Sequence, residues 1–157
     1  MTRNISTFIA MTLPILGLAL TPSVARAQVY TGSWPFVVTQ QETVIGPNSQ
    51  STTFCITLTE TSCPGRAHCG GATIAPNPQI GLYEKAYGGF QTIGQLIMVT
   101  IQVPDSGEGE SDAWVFVAST TGTSNIGTGV FSLVAGGESF TSGLLTVGAK
   151  HGCAPGS

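Results

Sequence analysis

Between Thr53 and Thr59 the side chains alternate without interruption. Phe54, Ile56 and Leu58 fall on one side of an extended chain, and Thr53, Cys55, Thr57 and Thr59 on the other. Successive Cβ atoms of a strand point to opposite faces, so a period of two marks a strand with one dry face and one wet face. The pattern recurs along the chain. Trp34, Phe36 and Val38 share a side; Ile97, Val99, Ile101 and Val103 share a side opposite Leu96, Met98 and Thr100; Trp114, Phe116 and Ala118 alternate with Val115 and Val117. Shorter strands are expected at 72–74, 90–93, 130–134, 140–141 and 144–149. Beyond residue 27 no stretch of about ten residues carries a helical apolar stripe. Strands without intervening helices pair antiparallel, because parallel pairs need long crossovers. The expectation is one all-β domain of about seven to eight strands. A small meander barrel is favoured over a β-sandwich, because the connections are short and the sheet edges must be hidden. Pro35 lacks an N–H, so its strand should begin late or run along an edge.

Punctuation supports this division. Gly46-Pro47-Asn48-Ser49, the polar run 105–112, the Gly/Thr/Ser/Asn run 121–129 and Gly136-Gly137 read as loops, and Gly94-Gln95 as a tight turn. Residues 95–103 have apolar side chains on both faces and no charge, so that strand is placed centrally rather than at an edge.

Residues 1–27 read as a secretory signal to be removed, leaving 28–157 as the folded domain. Arg3 precedes an apolar stretch from Ile5 to Leu20, and Ala25-Arg26-Ala27 offers the small-x-small cleavage pattern. The stretch is broken by Pro14 and falls short of the roughly 20 residues needed to span a bilayer. The processed chain should be periplasmic or secreted and not inserted in a membrane. It keeps three fixed positive charges, Arg66, Lys85 and Lys150, against all eight acids, a net charge of −5. That balance argues against nucleic acid as a partner.

An even number of cysteines in an exported domain reads as disulfides. The four, Cys55, Cys63, Cys69 and Cys153, allow three pairings. Cys63 and Cys69 bound a short loop containing Pro64-Gly65, whose ends meet at small entropic cost. Cys153 lies in a tail that would fray unless tied down, and Cys55 on the polar strand face is accessible to it. Cys55–Cys153 with Cys63–Cys69 is the favoured set. The competing reading is a zinc site built from the same cysteines with His68 and His151, but the spacing is not that of a zinc knuckle.

Catalytic signatures are scarce. The sequence holds no Gly-x-Ser-x-Gly elbow, no His-Glu-x-x-His and no phosphate-cradling Gly-x-x-x-x-Gly-Lys. His68 and His151 both sit beside cysteines and read as exposed tether residues; Glu60, Glu84 and Glu138 read as isolated surface acids. Enzymatic activity is therefore not expected, and no cofactor is called for. Asp105, Glu108, Glu110 and Asp112 form the densest acidic cluster, a weak Ca²⁺ candidate because hard oxygen ligands on a glycine-containing turn suit that ion. A solvated loop that discourages aggregation is the favoured reading. Most aromatics should be core, but Tyr83 and Tyr87, in the loop-like run 81–89, are candidates for stacking on a sugar or filling a partner's pocket.

Gly32-Ser33-Trp34 resembles the Gly-x-Trp opening of lipocalin- and avidin-like barrels. In the second half, Gly127, Gly129-Val130-Phe131, Gly136-Gly137-Glu138, Phe140, Ser142-Gly143 and Gly152-Cys153 resemble a group of short exported bacterial proteins of unassigned role. The first resemblance implies a barrel and the second an exported bacterial β domain; neither implies an activity. Three readings of function follow. The first is a non-catalytic module binding a small molecule, glycan or protein at a barrel mouth or loop face. The second is a structural or surface-associated protein whose sheets pack on other chains. A hydrolase comes last.

Overall fold

The computed structural model describes residues 29–40, 50–63, 65, 68–80, 82–103, 112–121, 125–135 and 138–153, with the backbone alone at 40, 50, 135 and 138–141. The expected signal segment, the 46–49 loop, and Asp105, Glu108 and Glu110 of the acidic run lie outside the described residues.

Eight strands follow one another: β1 (Gly32–Gln40), β2 (Gln50–Glu60), β3 (Cys69–Ile74), β4 (Ala86–Ile93), β5 (Leu96–Val103), β6 (Asp112–Thr121), β7 (Asn125–Ala135) and β8 (Glu138–Val147). Each pairs antiparallel with its neighbour in the chain, and β8 pairs back onto β1, so the sheet closes into an up-and-down barrel. Closure leaves no free edge to template another chain. One 3-10 turn at Pro78–Ile80 interrupts the β3–β4 connection.

The period-two pattern decides which side chains point in. Trp34, Phe36, Val38, Phe54, Ile56, Leu58, Ile97, Val99, Ile101 and Phe116 are all buried in the barrel. Around its middle, Phe36, Phe54, Trp114, Phe116 and Phe131 pack with ring centroids 4.9–5.7 Å apart, mostly edge to face. An eight-stranded barrel is just wide enough for its own side chains to fill or to hold one small ligand. With five rings meeting at its centre, this one is filled.

Pro35 corrects the edge expectation. It lies inside β1 at the level where pairing with β8 stops; the first β8 partner on β1 is Phe36. A missing N–H costs nothing there, and the Pro35 carbonyl accepts from Gly148 N at 2.9 Å as β8 passes into the tail. The tail then folds back along β1. His151 N donates to Ser33 O, Lys150 Nζ donates to Val29 O, and Cys153 is bonded to Cys55, with Cα atoms 5.8 Å apart. Gly32 and Trp34 have separate reasons to be what they are. A Cβ on Gly32 would strike Lys150 and His151 of the tail. The Trp34 indole is buried and donates from Nε1 to Tyr30 O at 2.9 Å.

Several boundaries differ from the sequence reading: β3 starts earlier, at Cys69, Asp112 opens β6, and the segments expected at 140–141 and 144–149 are the single strand β8. Residues 125–129 belong to β7 rather than to a loop, because Ile126 is buried and pairs opposite Thr120. Tyr87 and the glycines after it belong to β4 rather than to a loop, because Ala86 and Phe90 on the same strand point into the core. Gly94 has the left-handed φ of 61° that a two-residue hairpin with glycine first requires between Ile93 and Leu96.

Candidate functional site

The outer surface over β3, β4 and β5 is unusual because glycines meet there. In the cross-strand register Thr59 stands opposite Gly71, Gly71 opposite Gly89, and Gly89 opposite Thr100. The row has hydroxyls at its two ends and no side chain between them. A methyl at Gly71 would meet nothing within 4 Å, and one at Gly89 would meet only the Gly70 carbonyl oxygen at 3.3 Å. Gly89 and Thr100 of this row also border a trough of about 380 Å³, lined by Thr61, Cys69, Gly70, Gly89, Phe90, Gln91, Met98 and Thr100. No charged residue lines it. Hydroxyls and an amide stand beside the Met98 thioether and the disulfide sulfur, while the Phe90 ring turns inward to Tyr30.

The inward neighbours of these residues fix its wall. Glu60 precedes Thr61, His68 precedes Cys69, and Thr92 follows Gln91, so strand alternation sends one set outward and the other toward the end of the core. The Glu60 carboxylate is nearly buried and spends both oxygens. Oε1 accepts from His68 Nδ1 at 2.5 Å, and Oε2 accepts from the Tyr30 backbone N–H at 3.0 Å. The Thr92 hydroxyl accepts from the His68 N–H at 2.9 Å and donates to the His68 carbonyl, while Thr92 N also donates to that carbonyl. The Tyr30 ring packs edge-on against the His68 imidazole. Together with Cys63–Cys69, whose Cα atoms are 5.9 Å apart, these bonds hold the β2–β3 connection against β4.

Glu60 and His68 therefore depart from the sequence reading. Glu60 is no isolated surface acid and His68 no exposed tether; each is the other's partner at one end of the barrel. The carboxylate orients the imidazole as in a catalytic dyad. The Thr92 hydroxyl bonds the His68 backbone and not its ring, so these bonds brace the loop. Eight residues separate the pair in sequence, in an irregular stretch without periodicity to suggest that they face each other.

Burial raises the Tyr30 hydroxyl above the usual tyrosine value of 10.0; a hydrogen bond with Thr120 pulls it back, and the nearby Glu60 carboxylate raises it further. A proton held by the folded state where the unfolded chain has lost it makes stability fall with pH. This contribution is complete below pH 10 and drains away as the pH rises from there through the folded value. Tyr30→Phe should cost about 1 kcal/mol at neutral pH through the lost Thr120 bond. The gap to wild type should close above about pH 10 in urea unfolding; a gap independent of pH would contradict this.

The other candidate residues are scattered. Tyr83 is 78% exposed on the β3–β4 connection. Tyr87 points outward from β4 two residues from Gly89, about 7 Å along the strand, with the Lys85 ammonium 5.2 Å from its ring centroid. Asp112 opens β6, the only member of the acidic cluster among the described residues. Cys63 and Cys153 are bonded to Cys69 and Cys55, so neither offers a thiolate to zinc, and no metal-binding cluster of His, Cys, Asp or Glu occurs among the described residues. Two such bridges belong to an oxidising, extracytoplasmic environment. Among the described residues no helix is long and apolar enough to cross a membrane.

Fold and site together define an all-β protein: a closed, eight-stranded antiparallel barrel, filled within and troughed on its outer face. Comparison with protein families, curated proteins and solved structures found no match to this chain.

Proposed function

We propose that the protein is an exported, non-catalytic binding barrel that takes its ligand on the outside of the sheet, in the trough over β3–β5. The signal-like residues 1–27 and the two disulfides support export. One observation carries the binding reading. The chain's own aromatic rings meet in the interior, whereas the outer face opens around Gly89, which has Gly71 and no side chain across from it. A small molecule in the barrel mouth, the arrangement that the Gly-x-Trp resemblance implies, loses support from the filled core. An uncharged lining of hydroxyl, amide and thioether groups suits a neutral, hydroxyl-rich ligand, a glycan before an ionic one.

The test uses the missing side chains. Gly71→Val places a branched side chain in open space directly across from the lining residue Gly89, so the fold should persist while access to the trough narrows. Titration of ¹⁵N-labelled protein with neutral hexasaccharides of glucose, xylose and mannose should shift the amides of Cys69, Gly89, Gln91 and Thr100 in the wild type. The shifts should disappear in Gly71→Val at an unchanged melting temperature. The reading is lost if no hexasaccharide moves those amides, or if the filled variant binds as well as the wild type.

A further inference from the structure

The trough presents hydroxyls, an amide and a thioether but no ring, because Phe90 turns inward. An outward ring stands one step further along the same strand. Side chains on one face of a strand recur every second residue, so Tyr87, Gly89 and Gln91 share the outer face of β4. In the cross-strand register Tyr87 stands opposite Thr73 of β3 and Gln102 of β5. Adjacent strands are about 4.8 Å apart, so these three make a row about 10 Å wide, about 7 Å along the strands from the row of Gly71, Gly89 and Thr100. Gly88 and Gly89 place no side chain between Tyr87 and the trough. Tyr87 is 58% exposed, and the Lys85 ammonium lies 5.2 Å from its ring centroid. A cation drawn to the ring favours one ring orientation while more than half of the residue stays open to solvent.

We infer that Tyr87, Thr73 and Gln102 form a second subsite beside the trough, and that the ligand is a chain of neutral sugars lying along β4 rather than a single sugar; this rests on the reading of the trough as a glycan site. A pyranose has an apolar C–H face and a rim of hydroxyls. Its face covers an aromatic ring while its rim reaches hydrogen-bonding groups beside that ring. Tyr87 supplies the ring, and the Thr73 hydroxyl and Gln102 amide, one strand away on either side, supply the partners. The adjoining sugar meets Gln91 and Thr100 in the trough. The two rows are about 7 Å apart along the strand, a step comparable to the length of one sugar unit. Tyrosine suits such a platform because it has few rotatable bonds to immobilise on binding.

The experiment is a titration of ¹⁵N-labelled protein with the monosaccharides, trisaccharides and hexasaccharides of glucose, xylose and mannose, on the wild type, Tyr87→Ala, Tyr87→Phe and Tyr83→Ala. A hexasaccharide that shifts the trough amides of Gly89 and Gln91 should also shift those of Thr73, Tyr87 and Gln102. The trisaccharide should bind about tenfold more tightly than the monosaccharide. Tyr87→Ala should lose that gain, Tyr87→Phe should keep it, and Tyr83→Ala, off the sheet face, should bind like the wild type. Position 87 is more than half exposed, so melting temperatures should hold; if Tyr87→Ala is destabilised, the wild-type shifts at Thr73 and Gln102 decide. The subsite is overturned, with the trough left standing, if the trough amides move while those of Thr73 and Gln102 do not, if affinity ignores chain length, if Tyr87→Ala binds the trisaccharide like the wild type, or if Tyr83→Ala weakens binding equally. If no saccharide moves the trough amides, both readings fall.

Discussion

Gly88→Ala should lower the melting temperature by about 10–15 °C, a loss of about 3 kcal/mol. Gly88 lies on β4 between the buried Ala86 and Phe90 and is itself exposed, yet there is no room for a side chain. A Cβ at this position would overlap the backbone carbonyl of Thr100 on β5, and backbone in a closed ladder cannot rotate away as a side chain can. The same overlap occurs at Gly70 with the Thr59 carbonyl and at Gly129 with the Val117 carbonyl. A barrel this narrow must bend its strands sharply, and glycine at the bend lets neighbouring backbones close up. Gly71→Ala supplies the control. Its Cβ meets nothing, so the change should be neutral or stabilising by a few tenths of a kcal/mol. Thermal unfolding of the pair separates the two accounts: equal melting temperatures would show that close backbone approach is not what selects glycine at position 88.

Removing the Cys55–Cys153 bridge as Cys55→Ser/Cys153→Ser should cost about 4–5 kcal/mol, read as a lower urea midpoint. The bond joins residues 98 apart, so it denies the unfolded chain most of its long-range freedom. It also holds down the tail that gives β1 two partners, Gly148 N on Pro35 O and His151 N on Ser33 O, and bonds the residues before it through Lys150 Nζ on Val29 O. Cys63 and Cys69 are only 6 apart, and the same entropy argument assigns their bridge about 2–2.5 kcal/mol. Cys63→Ser/Cys69→Ser should accordingly be the milder pair. Its connection keeps the Glu60–His68 and His68–Thr92 bonds, whereas the tail without Cys153 is left to its hydrogen bonds with Val29, Ser33 and Pro35. A larger loss from the short bridge than from the long one would reverse this ranking.

Strands, and the side of each that turns inward, are legible one residue at a time. Phe54, Ile56 and Leu58 point into the core because a strand has a period of two, and no distant residue is needed to see it. The hairpin at Gly94 and the crowding of cysteines near irregular backbone are legible for the same local reason. The start of β7 is not. Gly127 and Gly129 look like loop residues until Val117 is seen beside them, since what excludes a side chain at Gly129 belongs to another strand. Tyr87 was obscured in the same way by the glycines that follow it.

The surfaces that bear on function depend on relations between strands. Gly71 and Gly89 are 18 positions apart and leave a gap beside the trough only because the β3–β4 register sets them opposite each other. A slip of one residue would replace that pairing and close the trough, while every apolar side chain of β3 would exchange faces. Glu60 finds His68 through a loop with no periodicity, and Thr73, Tyr87 and Gln102 align through two successive registers. Alternation in the chain specifies that a sheet forms and which face is dry, because it acts through adjacent peptide units. Closure of the barrel chooses which residues become neighbours across it, because register is set jointly by all eight strands.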